Sequence, residues 1–314
     1  MKNRQKISPK PSTRAFYKFG KRISDYSIFD FIHGYVYMRW PYFYIGIGTN
    51  EHPLTRFIKP LTGLIMRLLT FMGNVKGNEE AITFEDTYHG KVVLTDSAVG
   101  LVTIEEDITL ENLEPIIPYA LARDIVIKHP DHIVVLDCPC RSARPNPCLP
   151  LDVCLVIGEP FASFVHDHHP GRSRRISQGE AVEILHAEHE RGHVHHAFFK
   201  DAMLGRFYAI CNCCSCCCGA MQQQRNGVLM LTSSGYLCHV DQSLCVGCGI
   251  CEEVCPFDAI EVRGMTLVVD EEACMGCGVC VDKCEMGALR LELDPQKGEP
   301  LEIQKLMEGI YCSV

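Results

Sequence analysis

Cys245-Val246-Gly247-Cys248-Gly249-Ile250-Cys251-Glu252-Glu253-Val254-Cys255-Pro256 is the stretch on which the reading of this chain turns. It recurs 29 residues later: Val240-Asp241, Cys245, Cys248, Cys251, Cys255 and Ala259 reappear as Val269-Asp270, Cys274, Cys277, Cys280, Cys284 and Ala288. A duplicated unit of this length is a supersecondary building block. Gly247, Gly249, Gly276 and Gly278 stand between the thiols, where a backbone that wraps a bound group closely has no room for side chains.

The two runs closely resemble the bacterial-type ferredoxin family, which carries two 4Fe-4S clusters. The resemblance covers residues 235–294, about a fifth of the chain. It implies that Cys245, Cys248, Cys251 and Cys284 hold one cluster and that Cys274, Cys277, Cys280 and Cys255 hold the other, each run lending its fourth thiolate to its neighbour. Zinc at the same thiolates would use two well-separated Cys pairs instead of four-Cys runs. Glu285 departs from the family, which has Pro after the last Cys; a carboxylate there would favour the oxidised form of the cluster that includes Cys284 and lower its potential.

Outward from this module, the chain has 314 residues, 47% of them hydrophobic and 22% charged, the composition of a packed protein of about two domains. It carries 20 Cys, none before Cys138. Such density suggests a disulfide scaffold, but disulfides serve chains too small to build a core, and this one is not. The basic start, Met1–Arg22, leads into a segment broken by Asp25, Asp30, His33, Arg39 and Pro41, so no signal peptide is expected. Leu54–Gly73 carries Arg56, Lys59 and Arg67, which argues against a spanning helix. The expected location is the cytoplasm, where a dense Cys pattern points to metal ligation.

A second thiol group lies upstream. A strand over His132–Asp137 delivers the chain into Cys138-Pro139-Cys140-Arg141, and one over Arg206–Ile210 ends in Cys211-Asn212-Cys213-Cys214-Ser215-Cys216-Cys217-Cys218-Gly219. With Cys148 and Cys154 these make ten thiols, and loops opening at one end of a common sheet would bring them together. They suffice for one or two further iron–sulfur clusters, although adjacent Cys tend to point apart and cannot all serve one metal. A four-thiolate zinc site is the competing occupant, and buried inert thiols are the bland alternative. The arrangement resembles a group of anaerobe iron–sulfur proteins in which a Cys-x-Cys-Arg loop and a Cys-Asn-Cys-Cys-x-Cys-Cys run precede a two-cluster ferredoxin module. The adjacent Cys pairs are also similar to those of heterodisulfide reductase catalytic subunits, whose long spacings are absent here. Cys238 and Cys312 stand apart from both groups.

Between the thiols, Ser177-Gln178-Gly179-Glu180 is a capping box that starts a helix carrying His186, His189 and His193 on one face, joined by His196 if the helix continues past Gly192. One of these, or His195, is a candidate metal ligand or proton donor; the competing reading is a polar solvated face shared with Glu183, Glu188, Glu190 and Arg191. The runs Lys91–Thr95 and Gly100–Ile104 read as strands, Pro118–Lys128 as a helix, and Val153–Ile157 as a buried apolar run. No Gly-x-Gly-x-x-Gly after a strand, no phosphate-binding Gly-x4-Gly-Lys-Ser/Thr and no Gly-x-Ser-x-Gly occurs, so flavin, nicotinamide and nucleotide sites are not indicated by motif.

Charge divides the chain as sharply as sulfur does. Residues 1–78 hold thirteen Lys and Arg against three Asp and Glu, and 14 of the 26 aromatic residues; residues 79–314 hold seventeen against thirty-six. Short pieces interrupted by Gly34, Pro41, Gly46 and Gly48 are expected in this basic front. Leu61, Leu64, Ile65, Leu68 and Met72 then mark an amphipathic helix with a basic edge. Such a segment fits peripheral contact with an anionic membrane surface at its inner face, docking on a partner protein, or packing on the protein's own core; nucleic acid is not expected.

The expected architecture is α+β: a basic aromatic attachment segment with an amphipathic helix (1–78), a Cys/His-rich α/β domain (79–234), a two-cluster ferredoxin-like domain with a pseudo-two-fold repeat (235–294) and a C-terminal tail (295–314). The expected function is electron transfer: low-potential electrons relayed between two 4Fe-4S clusters, a further iron–sulfur or zinc centre, and a redox partner protein. Two alternatives stand beside it: a reductase whose catalytic centre is built from Cys138–Cys154 and Cys211–Cys218, and a zinc-stabilised docking subunit that carries a ferredoxin module.

Overall fold

The computed structural model describes residues 9–56, 88–119 and 121–309. The amphipathic helix expected over Leu61–Met72 lies outside the described residues, as does Cys312. The strands are β1 (Tyr88–Val93), β2 (Ile108–Leu110), β3 (Ile125–Ile127), β4 (Ile133–Asp137), β5 (Asp152–Ile157), β6 (Ser173–Ile176), β7 (Val194–Lys200), β8 (Arg206–Cys213), β9 (Leu231–Thr232), β10 (Tyr236–Val240), β11 (Ile260–Arg263), β12 (Thr266–Val269) and β13 (Leu289–Leu293). Seven form one sheet in the order β6-β4-β5-β8-β7-β1-β9, antiparallel at every pairing except β1 with β9. The Cys/His-rich region expected as α/β is thus built on a mainly antiparallel sheet, within a chain of mixed helices and strands.

Period-two alternation gives this sheet two cores. Val134 and Leu136 of β4 face Phe16, Phe161 and Phe164, whereas Ile133 and Val135 face Leu101, Ala181 and Leu185. Each such fully buried side chain contributes about 1.5–3 kcal/mol. The first face is covered by the Pro11–Gly20, Ile28–Arg39 and Phe161–His168 helices, the second by the Thr95–Val102 and Gln178–Glu190 helices. The basic aromatic front expected as an attachment segment therefore enters the core in its described part: Phe16 has no exposed surface, and Tyr37 and Met38 are buried beside it.

Three local expectations are corrected. Gly100–Ile104 is not a strand; Thr95–Val102 is a helix whose Ala98, Leu101 and Val102 face inward at helical spacing. Pro118–Lys128 is not a helix: Ala122 takes φ 58°, a left-handed value that ends helical propagation, and Ile125–Ile127 pairs with β2. The Gln178–Glu190 helix, started by Ser177 accepting from the Glu180 N–H at 3.1 Å, stops before Gly192 at φ 79°. His195 and His196 consequently lie inside β7, not on a shared helical face.

In the last third β10 pairs with β13 and β11 with β12. The halves exchange backbone bonds: the Asp241 N–H reaches the Ala288 carbonyl and the Asp270 N–H reaches the Ala259 carbonyl, both at 2.8 Å. Gly249 and Gly278, at φ 82° and 84°, open the short helices that follow each Cys run. Met275 and Val279 pack into the first core together with Cys213 and Cys218, so this region is docked on the sheet. Lys283 Nζ donates to the Glu190 carbonyl at 2.8 Å, and His189 pairs with Asp282 across the same junction. Beyond residue 294, Leu301 and Ile303 are buried in the second core.

Candidate metal centres

Two cavities lie in the C-terminal region. One is lined by Cys245, Cys248 and Cys251 from the first run and Cys284 from the second; the other by Cys274, Cys277 and Cys280 from the second run and Cys255 from the first. The chain crosses over because each short helix carries its last Cys away from its own loop. Backbone donors point at sulfur: the Ala259 N–H lies 3.3 Å from Cys255 Sγ. A Cβ on Gly276 would stand 2.1 Å from the Tyr236 carbonyl oxygen, so only glycine permits this loop path. Cys238, set apart in sequence, also lines the second cavity, with its sulfur 3.6 Å from that of Cys280.

Upstream, the ends of β4, β5 and β8 lie side by side, with Leu136 opposite Cys154 and Leu155 opposite Ile210. Seven thiols line a cavity of about 80 Å³ there: Cys138, Cys140, Cys154, Cys211, Cys213, Cys214 and Cys218. All but Cys214 form a closed ring of interacting neighbours in the order Cys138, Cys154, Cys211, Cys213, Cys218, Cys140 and back to Cys138. Proton sharing in the ring splits their acidities. Cys154 holds Cys211 down to about 6 and Cys140 holds Cys218 well below the ordinary thiol value, while Cys140 helps push Cys138 up to about 12. Cys211 and Cys213 share a face because they are two apart on a strand, and Asn212 between them turns the other way. The Gly219 N–H points at Cys140 Sγ from 3.5 Å, and a Cβ on Gly219 would meet Thr49 Cγ2 at 2.7 Å.

Asn212 links the ring to histidine. Its Oδ1 lies 2.6 Å from His195 Nδ1 and its Nδ2 donates to the Val153 carbonyl at 2.7 Å. Burial lowers His195 to about 4 and His196 to about 3, so both rings are neutral in the fold. His186 is exposed.

Arg141 supplies positive charge beside them. Its side chain is 1% exposed, its Nη2 donates to Glu188 and, at 2.9 Å, to the Asn212 carbonyl, and Glu188 also meets His193 at 2.7 Å. Burial opposes the guanidinium charge, and the Glu188 carboxylate more than offsets it.

The remaining four upstream thiols, Cys148, Cys214, Cys216 and Cys217, form a compact set with every sulfur within 4.8 Å of every other. Cys148 and Cys216 are 3.0 Å apart, Cys216 and Cys217 3.6 Å.

Sequence reading missed the aromatic wall of the six-thiol cavity. Tyr37, Tyr88 and Tyr208 line it, Tyr37 and Tyr208 sharing a hydrogen bond of 2.7 Å between their hydroxyls. Burial raises all three phenols far above the ordinary range, so they remain proton donors. A second cavity of about 340 Å³ shares Tyr37, Tyr88 and Cys140 with the first and adds Tyr44, Lys200 and Met230. For Tyr37 the density of aromatics in residues 1–78 was the available signal, but it gave no address; Tyr88 and Tyr208 carried none.

The 4Fe-4S binding domain family model matches residues 239–261 and again residues 267–290. The C-terminal region is thereby of ferredoxin type, and the match indicates iron–sulfur electron transfer in general. No curated protein matches the chain in sequence. Among the described residues no helix is long and apolar enough to cross a membrane.

Proposed function

We propose that this protein relays low-potential electrons through two 4Fe-4S clusters to a third centre held by the six upstream thiols. The observation that carries the reading is the lining of the two C-terminal cavities, each by three Cys of one run and the fourth of the other. Cys245, Cys248, Cys251 and Cys284 would hold the outer cluster, and Cys274, Cys277, Cys280 and Cys255 the inner one. The inner position is supported by Cys277 and Met275, which line that cavity and also pack with Cys213 in the sheet's core. The outer cavity is rimmed by exposed Val246, Ile250 and Met286, with Glu252, Glu253 and Glu285 exposed nearby. An apolar contact with an acidic border suits a redox partner bearing a basic rim.

Bound clusters would supply one-electron chemistry; the chain's own contribution is thiolate ligation, N–H donors to sulfur and exclusion of water. Iron and sulfide analysis with electron paramagnetic resonance on anaerobically purified protein tests the reading. More than about eight iron atoms per chain is expected, since two four-iron clusters account for eight. A count of eight or fewer would remove the third centre.

A second reading makes the six-thiol centre catalytic, with the protein acting as a reductase. The adjoining cavity of about 340 Å³ supports it, because that space reaches Cys140 between buried tyrosine hydroxyls.

A further inference from the structure

The ten upstream thiols separate into six and four. The six ring thiols edge a cavity that Cys214 also lines and do not converge on a point, whereas Cys148, Cys214, Cys216 and Cys217 close within 4.8 Å of one another. Four thiolates each about 2.3 Å from one zinc ion stand about 3.8 Å apart by tetrahedral geometry. The separations of 3.0 and 3.6 Å lie just below that value, and all six lie within 4.8 Å. Among the described residues no other group of three or more Cys, His, Asp or Glu converges this closely. The thiols around the two ferredoxin-type cavities do not, as expected where four irons hold their ligands farther apart than one ion does.

We propose that Cys148, Cys214, Cys216 and Cys217 bind a single tetrahedral zinc ion, structural in role and separate from the six-thiol centre. This rests on the reading that gives the other six thiols a centre of their own. Binding releases four thiol protons to solvent and moves no electrons, leaving a site of net charge −2. Two cations stand beside it: Arg141 acts electrostatically on Cys214, and Arg144 Nη2 donates to the Cys217 carbonyl at 3.3 Å.

The site's location explains its use. Cys148 lies in the irregular stretch between Cys140 and β5, and the other three lie in the turn after β8, so one ion would staple the two loops that supply the thiol ring. Arg225 then carries that turn to the ferredoxin-type region, donating to the Ser215 carbonyl at 2.9 Å and the Pro256 carbonyl at 3.0 Å. Adjacent Cys216 and Cys217 both ligate here because the turn, unlike a strand, lets neighbouring side chains swing to one side.

Metal analysis of the anaerobically purified full chain should find about one zinc, and zinc-edge X-ray absorption should find four sulfur neighbours at about 2.3 Å. Cys148→Ser and Cys216→Ser should each lose the zinc while iron per chain and the paramagnetic spectra of the reduced clusters stay unchanged; Cys154→Ser should lose iron and keep zinc. Cys148→His should retain the ion with three sulfurs and one nitrogen, which separates ligand loss from misfolding. Iron loss in Cys148→Ser, iron in place of zinc, a Cys148–Cys216 disulfide in the purified chain, or no zinc in the unaltered protein would each overturn the proposal. A chain with zinc but no iron would leave this site standing and refute the electron-transfer reading.

Discussion

Arg141 and Glu188 form an ion pair in which both side chains are 1% exposed, between the short Pro139–Ser142 helix after β4 and the far end of a helix 47 residues away. The pair lets a cation sit beside a thiol-rich cavity, and its energetics follow from its burial. Glu188→Ala leaves the guanidinium buried and uncompensated, and should cost about 3–5 kcal/mol. Glu188→Met combined with Arg141→Met should recover much of that stability and, if the six thiols hold the proposed third centre, lower its reduction potential, because the cation is gone. Denaturant unfolding of the anaerobic protein checks the first part; a double variant as unstable as Glu188→Ala would refute it.

The buried histidines set an acid limit. In the unfolded chain both titrate near about 6.5, but in the fold His195 is held to about 4 and His196 to about 3 by burial. The unfolded state therefore binds more protons as pH falls, so stability is full above about 6.5 and declines below it until the folded values are reached. These two alone contribute a slope of about 2.7 kcal/mol per pH unit, to which His33, His168 and His169, also lowered by burial, add. His196→Leu should take up to about 1.4 kcal/mol per pH unit off the slope between pH 6.5 and 5, read from unfolding midpoints; an unchanged slope would exclude His196 as a contributor.

On the proposed ligand assignment, Cys238 would tune the inner cluster. A ligating Cys280 thiolate could only accept, so the Cys238 S–H, 3.6 Å away, would be the donor. A hydrogen bond to a ligand sulfur favours the more negative, reduced cluster and raises its potential. Cys238→Ala should lower the potential of one cluster, leave the other alone and keep the iron count. A potentiometric titration followed by paramagnetic resonance reads all three, and equal potentials in variant and parent would dismiss the donor.

Under the same assignment, Glu285 would act on the other cluster more weakly than its position in sequence suggests, because its side chain is exposed and screened by water and salt. Glu285→Gln should raise the potential of the cluster served by Cys284 at low ionic strength, and the shift should fade toward 1 M salt. No shift at low salt would show that the departure from proline is electrostatically silent.

The parts legible in the sequence are those where chemistry and spacing are local. The Cys runs, the β4 and β8 strands leading into thiols and the Ser177 cap depend on residues within about a dozen positions of one another. The helix end at Gly192 was signalled by the glycine itself, yet the histidine spacing invited continuation past it. The division of ten thiols into six and four was not legible, because Cys148 joins Cys214 through a contact between two loops, while its nearer neighbours Cys140 and Cys154 face the cavity. Nor was the role of Tyr37, since nothing local says which core an aromatic helix will enter.

The exchanged strands of the C-terminal region carry a consequence for biosynthesis. The cavity built around Cys245 lacks its fourth thiol until residue 284 has been made, and the later cavity borrows Cys255 from the earlier half. Neither has its four thiols on a nascent chain that ends before Cys280, so the ribosome must enter deep into the second half before either pocket is complete, and a frameshift between the halves would leave two defective sites rather than one good one.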